Sequence, residues 1–209
     1  MSLKVSRRQL LASFASIAVA GCSSLVSRPA PVKGMFLLDP PPPPAASSAR
    51  NAVLRIGTFN VAAPFRAKNF VFRRSELGYE ADYYDEFFVP PSSMLADVTA
   101  RALSAGKVFT RVVAAGTAGN EGDYLLDAFV SELYGDARSA PPAAVVRITF
   151  YLTAMATLGS APAWTREYAQ RVEMENQTAT ALASSWNRAL GLLLRDLAKD
   201  LGGAELPSA

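Results

Sequence analysis

The sequence predicts an α+β sandwich, a mixed or antiparallel sheet with two helices packed on one face, and three observations lead to it. From Val145 to Thr153, Val146, Ile148, Phe150 and Leu152 fall on one side of an extended chain while Arg147 and Thr149 fall on the other. That is the alternation of a strand with one dry and one wet face. Leu182, Trp186, Leu190, Leu193, Leu197 and Leu201 recur every three or four residues, the stripe of an amphipathic helix. The elements arrive as a run of strands, a helix, a second run of strands and a last helix.

Residues 1–21 carry basic Lys4, Arg7 and Arg8, an apolar stretch from Leu10 to Ala20, and then Val19-Ala20-Gly21-Cys22. The stretch is shorter than the roughly 20 apolar residues that span a bilayer, so it reads as a cleaved signal peptide. Small residues before a cysteine resemble a bacterial lipobox, in which Cys22 is acylated and becomes the new N-terminus. Ser6-Arg7-Arg8-Gln9-Leu10-Leu11 resembles a twin-arginine export motif, and ordinary signals also carry paired arginines, so the route stays open. Ser23 after the cysteine, where an Asp would retain the protein at the inner membrane, favours the outer membrane and a periplasm-facing chain. Residues 22–33 are then a lipidated tether, and residues 34–205 a single domain.

Gly34 to Asp39 suits one short strand. The run Pro40 to Pro44 within the 40–50 loop is extended and reads as a spacer. Asn51 to Val61, Phe70 to Arg74 and Tyr79 to Val89 are strand-like, the last two rich in aromatics. Pro90-Pro91 stops the strand, and Ser92 or Ser93 is a candidate cap for a helix bearing Met94, Leu95, Val98, Ala102 and Leu103 until Gly106. Val108 to Ala114, Tyr124 to Tyr134, Val145 to Thr153 and Tyr168 to Met174 follow as strands, although the second also suits a helix. Gly116 to Asp123 has glycines at three-residue spacing, but Glu121 and Asp123 repel phosphate, so it reads as a hairpin loop. Asn176-Gln177-Thr178 is read as the cap of the last helix, and Gly202-Gly203 as its end.

Composition narrows the function. The chain has no histidine and one cysteine among 209 residues, which excludes His-based triads, His-ligated metal sites and internal disulfides. There is no Gly-x-Ser-x-Gly elbow and no Walker motif, so neither an enzyme nor a cofactor is expected. The formal charge of +3 arises from Lys4, Arg7 and Arg8 alone. The remainder is balanced, and a nucleic-acid partner is not expected. Its charges are unevenly arranged: Arg50, Arg55, Arg66, Lys68, Arg73 and Arg74 precede Glu76, Glu80, Asp82, Asp85, Glu86 and Asp97. If the two strands pair as a hairpin, opposite charges can face each other. Arg73, Arg74, Tyr83, Tyr84, Asp85 and Glu86 are the candidate surface for a partner or a second copy.

The block Leu54-Arg55-Ile56-Gly57-Thr58-Phe59-Asn60-Val61, then Phe70-Val71-Phe72-Arg73, then Tyr79-Glu80-Ala81-Asp82-Tyr83-Tyr84-Asp85-Glu86-Phe87-Phe88-Val89-Pro90-Pro91 resembles the ABC-type transport auxiliary lipoprotein family. The likeness spans residues 34–201. It implies a non-catalytic periplasmic component of an ABC transporter with an MCE-domain subunit, which moves phospholipids or other lipids between the two membranes. The implied partners are the MCE-domain protein and the ABC permease and ATPase, with a homo-oligomer as a further expectation. The competing expectation is an envelope-assembly or secretion lipoprotein that docks an outer-membrane barrel.

Overall fold

The computed structural model of the chain describes residues 32–117, 122–159 and 161–207. Eight strands form one mixed sheet: β1 (Gly34–Phe36), β2 (Arg50–Val61), β3 (Asn69–Arg73), β4 (Tyr79–Phe87), β5 (Phe109–Val113), β6 (Tyr124–Asp136), β7 (Ala143–Ala154) and β8 (Trp164–Glu173). Two helices, α1 (Pro91–Ala105) and α2 (Ala179–Gly203), complete the α+β fold. The segment Tyr124–Asp136 is strand throughout, because β7 and β2 offer its backbone partners on both sides and override its mixed propensity.

β6, β7 and β8 form an antiparallel meander. On the other side of β6 the sheet forks. β2 runs parallel along Tyr124–Val130, and β3 continues in line beside Gly135 and Asp136. β5 adds to the outer side of β2, while β4 and then β1 add to the outer side of β3. Since β5 and β6 both run parallel to β2 on opposite sides of it, the connection between them crosses β2 and is not the expected hairpin loop. Asp123 secures that crossing: its Oδ2 accepts from Val53 N at 2.6 Å and its own N–H donates to Val53 O at 2.8 Å.

The inward side chains of β7 meet the apolar stripe of α2 as the alternation predicts, with Val146, Ile148, Phe150 and Leu152 buried. Trp186 sits at the centre. Its ring lies 5.0 Å from Phe70 and 5.3 Å from Phe87, and its Nε1 donates to Val145 O at 3.2 Å. Burying a tryptophan requires such an acceptor, and a strand carbonyl supplies it. On β8 the Tyr168 hydroxyl donates to Asp200 Oδ2 at 2.6 Å, tying the meander to α2.

Three details mark the helix ends. Pro90 is the N-cap of α1 and Pro91 opens it with no side-chain cap, so neither Ser92 nor Ser93 serves; a proline at the first position lacks only an N–H that would be orphaned anyway. Thr178 caps α2 as expected, accepting from Ala181 N, and Asn176 Oδ1 accepts from the Thr178 hydroxyl at 2.6 Å. α2 ends at Gly203, within the glycine pair that the sequence offers as its stop, and Arg50 Nη2 donates there to Leu201 O and to Ala204 O, at 3.3 and 2.6 Å. A guanidinium there satisfies carbonyls left over at the helix end.

The proline run is not a free spacer. Asp39 N donates to Asn187 Oδ1 at 2.7 Å, Asp39 pairs with Arg101 at 2.7 Å, and Ala46 N donates to Gly106 O. Pro43 is buried. A Cβ on Gly191 would lie 2.8 Å from Pro41, and one on Gly106 would lie 3.0 Å from Pro43. The segment is a strap laid across both helices, admitted by a glycine on α2 and another just after α1.

A candidate partner-binding edge

The basic and acidic stretches do pair as a hairpin, β3 against β4. Much of the charge is consumed within it: Arg74 Nε meets Glu80 Oε2 at 2.7 Å, and Glu86 takes Lys33 at 2.8 Å and Lys68 at 3.3 Å. Glu86 is buried, and the hydrogen bond from Lys33, aided by Lys68, lowers its pKa against the opposing effect of burial. Opposite charges of the stretch thus meet across the hairpin at Arg74–Glu80 and Lys68–Glu86.

The hairpin contains a large bulge. Register passes from Asn69↔Glu86 to Val71↔Ala81, so residues 82–85 of β4 stand opposite Phe70 alone, three more than regular pairing needs. Asp82 organises them. Its Oδ1 accepts from Tyr84 N at 2.9 Å and Asp85 N at 3.0 Å, and Asn69 Nδ2 donates to its carbonyl at 2.8 Å. Tyr83 and Tyr84 are thrown outward, 79% and 43% exposed, with rings 5.1 Å apart and nearly perpendicular. Asp85 turns back over β1, where a Cβ on Gly34 would lie inside contact distance of its Oδ1. Burial, and then the nearby Asp82, raise its pKa.

β1 pairs in parallel with the end of β4, and Phe88 N donates to Phe36 O at 2.8 Å. Phe36 and Phe87 point toward Trp186 and Phe70. Alternation along the strands therefore sends Met35, Leu37 and Phe88 to the opposite face, where they are 54%, 60% and 56% exposed. Three apolar side chains and two tyrosines thus gather at one sheet edge, with Asp82 and Asp85 among them. Leu37 also borders an apolar cleft of about 510 Å³ lined by Leu38, Val89, Met94 and Val98.

Arg73 and Arg74 lie elsewhere, at the turn end of the hairpin. The Arg73 guanidinium sits 5.4 Å over Tyr79 and 6.0 Å over Tyr134, and its Nη2 donates to Glu76 O at 2.6 Å. Beside it Asp136 accepts from Arg138 Nε and Nη2 at 2.9 and 2.7 Å and from Arg171 Nη1 at 2.7 Å. The six sequence candidates thus form two groups: Tyr83, Tyr84, Asp85 and Glu86 at the edge, Arg73 and Arg74 at the corner. Met35, Leu37 and Phe88 escaped sequence reasoning because isolated apolar residues in strands read as core. Asp136, Arg138 and Arg171 escaped because Asp136 and Arg138 spell no motif and Arg171 arrives from a separate strand. Arg7, Arg8, Val19, Ala20, Gly21 and Cys22 lie outside the described residues.

Among the described residues no group of three or more His, Cys, Asp or Glu is arranged to hold a metal, and no helix is long and apolar enough to cross a membrane. A protein of the DUF330 family from Xanthomonas campestris has a similar structure, with TM-score 0.68 at 18% identity over 80% of this chain and 94% of that one. An uncharacterized protein gives TM-score 0.64 at 15% identity over 81% and 99%. PelC, crystallised as a dodecamer from Paraburkholderia phytofirmans, gives 0.44 at 15% identity over 78% and 95%, a likeness too loose to bear on assembly here. These similarities speak to the fold alone. No curated protein matches the sequence. Residues 36–198 match the profile of a family described as the ABC-type transport auxiliary lipoprotein component. With that profile covering most of the chain, and the strand, bulge and helix order in place, this chain belongs to the ABC-type transport auxiliary lipoprotein family.

Proposed function

We propose that this chain is a non-catalytic adaptor of an ABC transport system with an MCE-domain subunit, which moves phospholipids or other lipids between the inner and outer membranes. In this reading residues 1–21 are removed, Cys22 is acylated, and residues 22–33 tether the domain to the periplasmic face of the outer membrane. Three acyl chains, at about 0.8 kcal/mol per buried CH₂, hold a protein on a membrane almost permanently. Family membership carries the reading. It is supported by the lipobox-like Val19-Ala20-Gly21-Cys22 and by the absence of histidine, which removes the commonest general base.

The surface assigned to the partner is the edge bearing Met35, Leu37, Tyr83, Tyr84 and Phe88. Clustered aromatics on an exposed surface are typical of protein interfaces, and Asp82 and Asp85 suit a partner with an apolar patch flanked by basic side chains. The test is a pull-down of the intact envelope complex with the tagged full chain. Recovery of MCE-domain and ABC subunits is expected, and it should fall in Cys22→Ala, which also loses labelling by a palmitate analogue. Recovery of neither subunit, with crosslinking to an outer-membrane barrel instead, would replace this reading with the envelope-assembly one.

A further inference from the structure

At the corner where β3, β6 and β8 end and β7 begins, two guanidiniums, Arg138 and Arg171, meet one carboxylate, and a third arginine, Arg73, lies beside it. Backbone pairing sets Arg73 beside Asp136, and Ala137 N donates to Arg73 O at 2.9 Å, which brings Arg138 next to Arg73. Arg171 arrives from β8 and shares Asp136. Asp136 is 1% exposed, whereas the Arg138 and Arg171 side chains are 37% and 49% exposed. Asp136 can neutralise only one of its two arginines. Arg73 has no carboxylate of its own: it donates to a backbone carbonyl, and its Nε is buried without an acceptor. Glu80, the nearest acid on β4, is taken by Arg74. Arg138 is fixed on Asp136 by two side-chain hydrogen bonds, with Tyr134 two residues before Asp136 on the same face of β6.

On this preformed frame Arg138 and Arg171 share the one buried carboxylate of Asp136 with Arg73 adjacent, while Glu173, exposed and two residues from Arg171 on the same face of β8, stands at the same strand end. Among the described residues, Arg138 binds Asp136 through Nε and Nη2 and leaves Nη1 over, and Arg171 uses Nη1 and leaves Nε and Nη2. Planar guanidinium forks fixed by a buried carboxylate and flanked by phenol rings are pre-organised for tetrahedral oxyanions. We propose that Arg73, Arg138 and Arg171, held by Asp136 and walled by Tyr79 and Tyr134, form a binding site for a phosphate group, carried by a lipid headgroup or free in solution. This site lies at the opposite end of the hairpin from the partner edge and does not depend on the partner assignment.

The test follows the arginine side-chain N–H resonances of the full chain in neutral detergent, with inorganic phosphate added at constant ionic strength. Saturable shifts of Arg138 and Arg171 are expected. Arg73→Gln and Arg171→Gln, which both leave the Arg138–Asp136 pair intact, should each weaken the affinity about tenfold, while Arg195→Gln on α2 should not change it. Monomeric short-chain phosphatidylglycerol, titrated in parallel, separates the sources: competition with phosphate assigns a headgroup, and phosphate binding alone assigns the free ion. Absence of shifts in the unmodified protein would overturn the site. So would equal affinity for acetate, or undiminished binding in both variants.

Discussion

Asp136 is the residue on which most local order at the corner depends. It is buried, accepts three side-chain hydrogen bonds from Arg138 and Arg171, and these, Arg138 first, hold its carboxyl well below the usual range. Asp136→Asn removes the charge and leaves two guanidiniums facing each other. Because both arginines are partly solvated, the expected cost is about 2 to 3 kcal/mol, below that of a fully buried pair. Denaturant unfolding at neutral pH measures it. The acid dependence has a definite sign: a depressed carboxylate contributes fully above its unfolded pKa of about 3.9, and that contribution is lost as pH falls below it. The unmodified chain should lose stability below about pH 4 more steeply than Asp136→Asn. Equal slopes would show that Asp136 is not the group responsible.

Among elements, the strap between β1 and β2 departs most from its sequence reading. Consecutive prolines specify extended backbone, and Pro40 to Pro44 are extended, yet nothing in the run says what lies beneath it. The answer resides in Gly191 and Gly106, far away in sequence, where the missing side chains let Pro41 and Pro43 approach. Gly191→Leu should raise intrinsic helix propensity while overpacking the strap, for a net loss of about 1 to 3 kcal/mol. Amide exchange at Ala46, whose N–H donates to Gly106 O, should quicken in the variant, and unchanged protection there would contradict the packing. α2 and β7 were legible because each buries one face, and a single buried face imposes its own period on the sequence. Gly57 was read as one more strand residue. It is needed because a Cβ there would lie inside contact distance of Asp127 Oδ1, which accepts from Thr58 N at 2.7 Å.

At the scale of the whole molecule, exposed apolar residues concentrate on the β1–β4 branch of the forked sheet. The outermost strand of the meander, β8, instead carries Arg166, Glu167, Gln170 and Arg171, and charge on an edge discourages strand pairing with other chains. Tyr83→Ala with Phe88→Ser therefore tests the partner edge: both side chains are exposed, so the unfolding free energy should change by less than about 0.5 kcal/mol each. Recovery of transporter subunits in the envelope pull-down should fall roughly tenfold, as expected for aromatic anchors. Normal recovery with a well-folded variant would move the partner surface elsewhere.

The two-helix α+β class, most strand and helix segments and the family resemblance were legible in the chain alone, and the charge order allowed the β3–β4 hairpin without requiring it, because periodicity, proline punctuation and short-range charge order are local properties. Tertiary structure alone decided the fork in the sheet, the crossing of β2 between β5 and β6, the strap over the helices, and the division of the six candidate residues between an apolar edge and a cationic corner. Those features depend on which distant backbones become neighbours. Asp136 illustrates the difference: Arg138 is a near neighbour in sequence, but Arg73 and Arg171 lie tens of residues away, and strand register brings them to it.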